Sequence, residues 1–321
     1  MKNFVFLITL IAHLNAFSQE NSILGKWVLE KTTYADGKAL EVNHPLYSSI
    51  QIYYISPGSF MIGPAKYDAQ YEKNAIKLNL GQINYFYQDN YLITTSQDNS
   101  LLFYFLKERD FLSKYPEFSP HIKKIDNKDY YISNTITEPV FFSQNIFEIE
   151  ISNYITNSKI NGLYDFEIEF IFDKSKRNPD YHLVNSSLDK KQEDEIKKIL
   201  ERLSNSFINT FEENLIYTKN IRYNSGDFNQ NKDKPIVSID AIKKLEKLYN
   251  ENRFDELIKE VEKLQKKETD SKKVPNRVKI WQGVSYLAIN KMQDACNVFR
   301  TIGDVKNFQV RNYLINFCKK N

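Results

Sequence analysis

The spacing of apolar positions changes character several times along the chain. Residues 21–111 carry short runs of β-branched and aromatic residues: Ile50–Ile55, Ile76–Leu80, Tyr85–Tyr87, Tyr91–Thr94 and Leu101–Leu106. Turn chemistry separates them at Asp36-Gly37, Pro57-Gly58, Gly63-Pro64, Asp89-Asn90 and Asp98-Asn99. Short strands punctuated this regularly predict a meander closed into a small antiparallel β-barrel or sandwich over 19–111. From Phe111 to Pro139 the pattern decays into polar residues with Tyr115-Pro116, Ser119-Pro120 and Lys123-Lys124, which predicts a linker over 112–139.

A second domain is expected over 140–223. Phe147 to Ile155 reads as a helix or a strand leading in. In Leu163–Phe172 the residues Phe166, Ile168, Phe170 and Phe172 alternate with Asp165, Glu167, Glu169 and Ile171, the signature of a half-buried strand. Asp173–Asn178 turns it and Tyr181–Ser187 returns as a hairpin partner. Ile196, Ile199, Leu200, Leu203 and Phe207 then recur at helical spacing, with Asp189 and Glu193 near the helix start, and a last strand is expected over Tyr217–Tyr223. Residues 224–235 are polar and read as a second linker. The tail, 236–321, repeats itself: Lys247–Leu257 aligns with Ser285–Ala295 at a shift of 38, each copy ending one helix in a polar turn and starting another. The fold class expected is multidomain α+β: the β domain, a strand-helix-strand αβ domain, and an α-helical repeat tail.

The N-terminus changes the compartment. Met1-Lys2-Asn3 gives a positive start, Phe4–Leu14 is almost wholly apolar, and Ala16 and Ser18 supply small residues at −3 and −1, so residues 1–18 read as a signal peptide cleaved before Gln19. The apolar run is about eleven residues, short of the ~20 needed to span a bilayer, and no later stretch is long and apolar enough. The expected location is extracytoplasmic, periplasmic or secreted. The whole chain has 44 Lys and Arg against 41 Asp and Glu, no electrostatic footprint for nucleic acid. That balance conceals a basic tail, with 18 basic against 11 acidic residues over 236–321. It is either a solvated helical surface or an attraction to an acidic partner or an anionic membrane face.

Three resemblances follow from these residues. Ile23-Leu24-Gly25-Lys26-Trp27-Val28-Leu29 resembles the Gly-x-Trp opening of lipocalin-like domains, and Phe103–Arg109 resembles their closing strand. The resemblance implies that Trp27 plugs the closed end of the barrel and that a basic residue from the last strand, Arg109, packs over it. It also brings a small apolar ligand into consideration. The strand-turn-strand-helix-strand order of 140–223 resembles the C-terminal domain of TonB-type energy transducers. The chain departs from that family in having Arg177-Asn178 in place of the turn glycine and Phe207-Ile208-Asn209 where a Trp-x-Pro segment belongs. What this resemblance implies is strand addition, a partner's extended peptide pairing with an open sheet edge. The tail resembles tetratricopeptide repeats, with Phe308–Lys319 as a capping helix.

Candidate chemistry is sparse. The two cysteines, Cys296 and Cys318, fall on helices that should pack together, and in an exported protein they read as a disulfide in competition with two buried free thiols. Asp227, Asn229, Asn231 and Asp233 alternate like calcium ligands, but Lys232 stands where the sharp-turn glycine is needed and Ser238 where the closing glutamate belongs, so a solvated linker is the better reading. His44, His121 and His182 are dispersed, and Gly283-Val-Ser285-Tyr-Leu287 lacks the second glycine of a nucleophile elbow. No cofactor or metal is implied. The functional expectation is a non-catalytic protein-binding or scaffolding protein acting through its tail and a sheet edge. A carrier of a small apolar ligand and a hydrolase built from dispersed carboxylates stand as alternatives.

Overall fold

The structure is a computed structural model and describes residues 23–48, 51–63, 65–142, 144–157, 162–203, 206–225, 239–267, 274–302 and 308–318. Residues 1–18, read from the sequence as a signal peptide, residues 227–233 and most of 266–275 lie outside this set. The chain divides into two units, Met1–Glu30 with Gln51–Asp227 and Lys31–Ile50 with Phe228–Asn321.

In the first unit, strands β1 (Gly25–Tyr34), β2 (Ile52–Ser56), β3 (Ser59–Ile62), β4 (Ala65–Glu72), β5 (Ala75–Leu78), β6 (Gly81–Gln88), β7 (Tyr91–Thr95) and β8 (Leu101–Lys107) form a closed antiparallel barrel compatible with a lipocalin-like fold. Alternation along the strands sends Trp27, Leu29, Tyr53, Ile55, Phe60, Tyr85, Leu92 and Phe105 into one buried cluster. Tyr53 stacks on Phe105 with ring centroids 4.2 Å apart and meets Phe60 at 4.9 Å. The β6–β7 hairpin turns through Asp89 (φ 48°) and Asn90 (φ 67°), the left-handed pair of a type I′ turn. Strand β4 escapes the sequence pattern because Ala65–Glu72 is largely polar, with Ala69 its buried residue.

The helix α1 (Glu108–Lys114) follows β8 directly, and then β9 (His121–Ile125) and β10 (Lys128–Ile132) form a hairpin through Asp126 (φ 48°) and Asn127 (φ 61°). Residues 112–139 are therefore folded, not a linker. Phe111, Tyr115 and Phe118 form a buried aromatic cluster there, while the polar sequence that suggested a linker belongs to an edge strand whose residues His121–Lys124 are all exposed. Beyond it come β11 (Val140–Phe141), α2 (Gln144–Asn157), β12 (Gly162–Phe172), β13 (Asp180–Val184), α3 (Lys190–Leu203), β14 (Phe207–Ile208) and β15 (Leu215–Ser225). The five-stranded sheet has the order β13-β12-β15-β10-β9, and β11 pairs with β14. Phe166, Ile168, Phe170 and Phe172 of β12 are buried in one core with Phe147 and Ile151 of α2 and Ile196, Ile199 and Leu200 of α3. A reciprocal cap starts α3: the Gln192 amide donates to Asp189 Oδ1 at 2.9 Å and the Asp189 amide donates to Gln192 Oε1 at 2.8 Å.

The second unit is helical: α4 (Ile239–Asn250), α5 (Phe254–Lys267), α6 (Asn276–Ala288), α7 (Met292–Ile302) and α8 (Phe308–Phe317). Leu245, Leu248, Leu257, Val261, Val278 and Trp281 form the core of the first three helices. The repeat is written into the backbone. Arg253 N donates to Leu248 O (2.9 Å) after Asn252 at φ 56°, and Lys291 N donates to Tyr286 O (2.8 Å) after Asn290 at φ 61°. These are two copies of one left-handed helix stop at the same shift of 38. Gly283 lets α6 and α7 approach, since a Cβ there would lie 2.5 Å from the Phe299 ring. Cys296 and Cys318 are joined by a disulfide that ties the end of α8 to α7.

Two outcomes are expected in denaturant titrations. Gly283→Ala forces the Phe299 ring aside and should lower stability by about 1–3 kcal/mol, as overpacking does. Replacing both cysteines by alanine should lower it by roughly 3 kcal/mol, the loop-closure value for a crosslink of this span.

Candidate functional site

The outer face of β1 organises the first unit. With Trp27 and Leu29 pointing inward, Lys26, Val28 and Glu30 point outward, and all three are buried. Helix α1 lies alongside and pairs with two of them. Lys26 Nζ is 3.1 Å from the Glu108 carboxylate, with both side chains almost fully buried, and Lys114 Nζ is 2.6 Å from Glu30. Lys26 also donates to the Glu138 carbonyl at 2.8 Å, which ties the barrel to the segment leading into the sheet. Glu30 accepts further hydrogen bonds from the Tyr91 and Tyr115 hydroxyls. Burial pushes the Glu30 carboxyl up, but the bonds from Lys114, Tyr115 and Tyr91 outweigh it and hold the group below its ordinary range. At Glu108 the balance reverses, because burial pushes it up more than Lys26 pulls it down.

Beside this brace lies a cleft of about 850 Å³, a size suited to small-molecule ligands. Its walls come from the start of β1, from Tyr54, from residues 107–113, from Tyr131 and from residues 208–213. Tyr131 and Phe211 meet edge to face at 5.2 Å on one side. The 208–213 turn is pinned by Asn209, whose Oδ1 accepts from the Phe211 amide (3.0 Å) and whose Nδ2 donates to the Glu213 carbonyl (2.6 Å). That pinning holds Glu212 at φ 64°, a left-handed conformation that costs a glutamate about 1 kcal/mol or more. Of the three carboxylates that line the cleft, Glu108 is paired with Lys26 and Glu213 with Lys174 (3.0 Å). Two of the three are thus engaged in ion pairs.

The second unit presents a different site. Although the expected barrel domain spans 19–111 and β1 itself runs on to Tyr34, Lys31–Ile50 group with the helices. Helix α8 grips them. Arg311 Nη2 donates to Asn312 Oδ1 (2.8 Å), and Asn312 Nδ2 donates in turn to the Tyr47 carbonyl (3.0 Å). Tyr313 donates its hydroxyl to the Val42 carbonyl at 2.8 Å. The Tyr47 ring stacks on Tyr313 at 5.0 Å and tilts against Phe317 at 5.6 Å. At the other end Asn43 Nδ2 donates to Asn252 Oδ1 (3.0 Å), in the turn between α4 and α5.

The residues singled out from sequence are placed as follows. Trp27 is buried in the barrel core and donates its indole N–H to the Ile23 carbonyl at 2.7 Å. The cation over its ring is Lys107, with Nζ 5.4 Å from the centroid. Arg109 does not take that role, because β8 ends at Lys107 and Arg109 already lies on α1, exposed at the cleft. Cys296 and Cys318 come together; Trp27 and Arg109 do not form a pair. Among the described residues no three His, Cys, Asp or Glu side chains gather as a metal site, and no helix is long and apolar enough to cross a membrane. The grip on residues 42–47 was not legible in sequence. Its partners are some 265–271 positions apart, and only the cluster His44-Pro45-Leu46-Tyr47 hints at a docked turn.

No protein-family model, no curated protein and no solved structure matches the chain.

The Glu30 brace sets a pH dependence. A carboxyl whose folded pKa is depressed contributes stability that is present above its unfolded value, near 4.5, and is lost as pH falls through the folded value. Glu30→Gln should therefore lower the Tm at pH 7, and the gap from wild type should close as the pH falls well below 4.5. Thermal melts across pH 2.5 to 7 on the two proteins would measure it.

Proposed function

We propose that the chain is an exported, non-catalytic binding protein whose helical unit is its protein-holding part. The observation that carries this reading is the grip of α8 on residues 42–47, made by side chains on backbone carbonyls and by an aromatic socket around one tyrosine ring. Those are contacts that any segment with an aromatic residue and free carbonyls can offer, so a partner segment of that kind would compete with the chain's own. The two helix stops repeated at a shift of 38 favour kinship with tetratricopeptide repeats, whose stacked helices serve protein recognition. The Cys296–Cys318 disulfide favours an oxidising compartment, periplasmic or secreted, in keeping with cleavage after residue 18.

The middle domain supports a lesser role. The order β13-β12-β15, with α3 between β13 and β15 in sequence, agrees with the resemblance to TonB C-terminal domains. At the other edge lies the exposed strand β9, whose Lys123 and Lys124 already face Glu169 and Asp129 at 3.9 and 4.0 Å. Edge lysines serve to discourage pairing, so the helical grip is the stronger basis. A small apolar ligand inside the barrel is disfavoured by the aromatic side chains that fill the interior.

The test is affinity capture from the cell-envelope fraction with the mature protein and two variants. Tyr47→Ala weakens the resident segment and should increase recovery of a partner. Asn312→Ala combined with Tyr313→Phe removes the carbonyl-binding groups and should abolish it. Equal recovery by all three proteins would overturn the reading.

A further inference from the structure

The 850 Å³ cleft on the first unit is lined by charged residues, of which, among the described residues, Arg109 and Glu212 make no ion pair, hydrogen bond or ring contact. Lys26 and Glu108 neutralise each other at its base, Glu213 is paired with Lys174, and Lys107 lies over Trp27. Arg109 and Glu212 remain. Both are exposed, and among the described residues neither side chain makes an ion pair or hydrogen bond. They come from separate elements, α1 and the β14–β15 turn, and Glu212 is kept at the cleft by a strained backbone that Asn209 pins. The same lining carries the apolar and aromatic residues Tyr54, Leu112, Tyr131, Ile208 and Phe211, interleaved with polar ones such as Ser113 and Thr210.

We propose that this cleft binds short zwitterionic peptides with apolar side chains, Arg109 taking the C-terminal carboxylate and Glu212 the N-terminal ammonium. A guanidinium fork meets a carboxylate bidentately, and a carboxylate is the natural acceptor for a free amine. A ligand carrying both charges leaves neither residue uncompensated once water is displaced, whereas a simple anion would leave Glu212 unpaired and a simple cation would leave Arg109 unpaired. The aromatic rings supply contact area for apolar side chains in between. This site is independent of the helical grip, so either can fail without the other.

The experiment is isothermal titration of the full mature chain with phenylalanyl-alanyl-leucine, its N-acetyl form and its C-terminal amide. The free tripeptide should bind saturably, and each capped form about 10- to 100-fold more weakly, the range for losing one charge-assisted contact. Arg109→Ala should weaken the free peptide by a similar factor while leaving the C-terminal amide unchanged. Glu212→Gln should do the same for the free peptide and leave the N-acetyl form unchanged. Both side chains are exposed, and unaltered thermal melts would show that the variants fold. Absence of saturable binding, equal binding of all three peptides, or variants that lose no discrimination between free and capped ends would overturn the proposal. A neutral hexasaccharide, titrated in parallel, would overturn it by binding in place of the peptide.

Discussion

Two oppositely ordered ion pairs on the outside of one strand hold the first unit in its arrangement. Lys26 and Glu30 leave β1 on the same side, and α1 answers them with Glu108 and Lys114. Because the first pair is almost fully buried, its net contribution over an apolar substitute is small. Leaving either charge without its partner, however, costs on the order of 3–5 kcal/mol. The pairing therefore acts mainly on specificity: it admits α1 against β1 in one register and one direction. Everything beside that helix inherits its position. The cleft-lining residues Glu108, Arg109, Leu112 and Ser113 are carried on α1.

The helical unit solves a different problem. Five short helices cannot each bury an apolar stripe alone, so they stack, and the two asparagine-terminated stops set the spacing. Helix α8 is the last helix among the described residues. Tyr47 and its neighbours pack there, and the disulfide holds the other side of the same helix. One face of α8 is thus taken up within the chain.

How much of this was legible in sequence depends on where each residue's partner lies. The alternation Phe166, Ile168, Phe170, Phe172 announces β12 because one face is buried and the other is not. The tail repeat is equally plain, since Asn252 and Asn290 recur at the period of the structure. Strands β4 and β9 were invisible for the opposite reason: Ala65–Glu72 buries little, and His121–Lys124 buries nothing, so no period is imposed on them. Two-residue Asp-Asn turns were the available signal, read at Asp89-Asn90 and passed over at Asp126-Asn127. The candidate sites were the least legible. Arg109 was noticed for a task that Lys107 performs, and Glu212 matters through a backbone angle that no side-chain pattern encodes.

The grip of α8 on residues 42–47 joins positions some 265–271 residues apart, so the second unit draws on two segments far apart in sequence. Contacts of such long range close late, after the loop-entropy cost of bringing the ends together has been met. During synthesis, residues 42–47 emerge some 265 residues before Asn312 and Tyr313 arrive. Until then Tyr47 lacks its socket. Folding of this unit is in that sense post-translational by construction, and a truncated chain would carry an unanswered segment near its beginning.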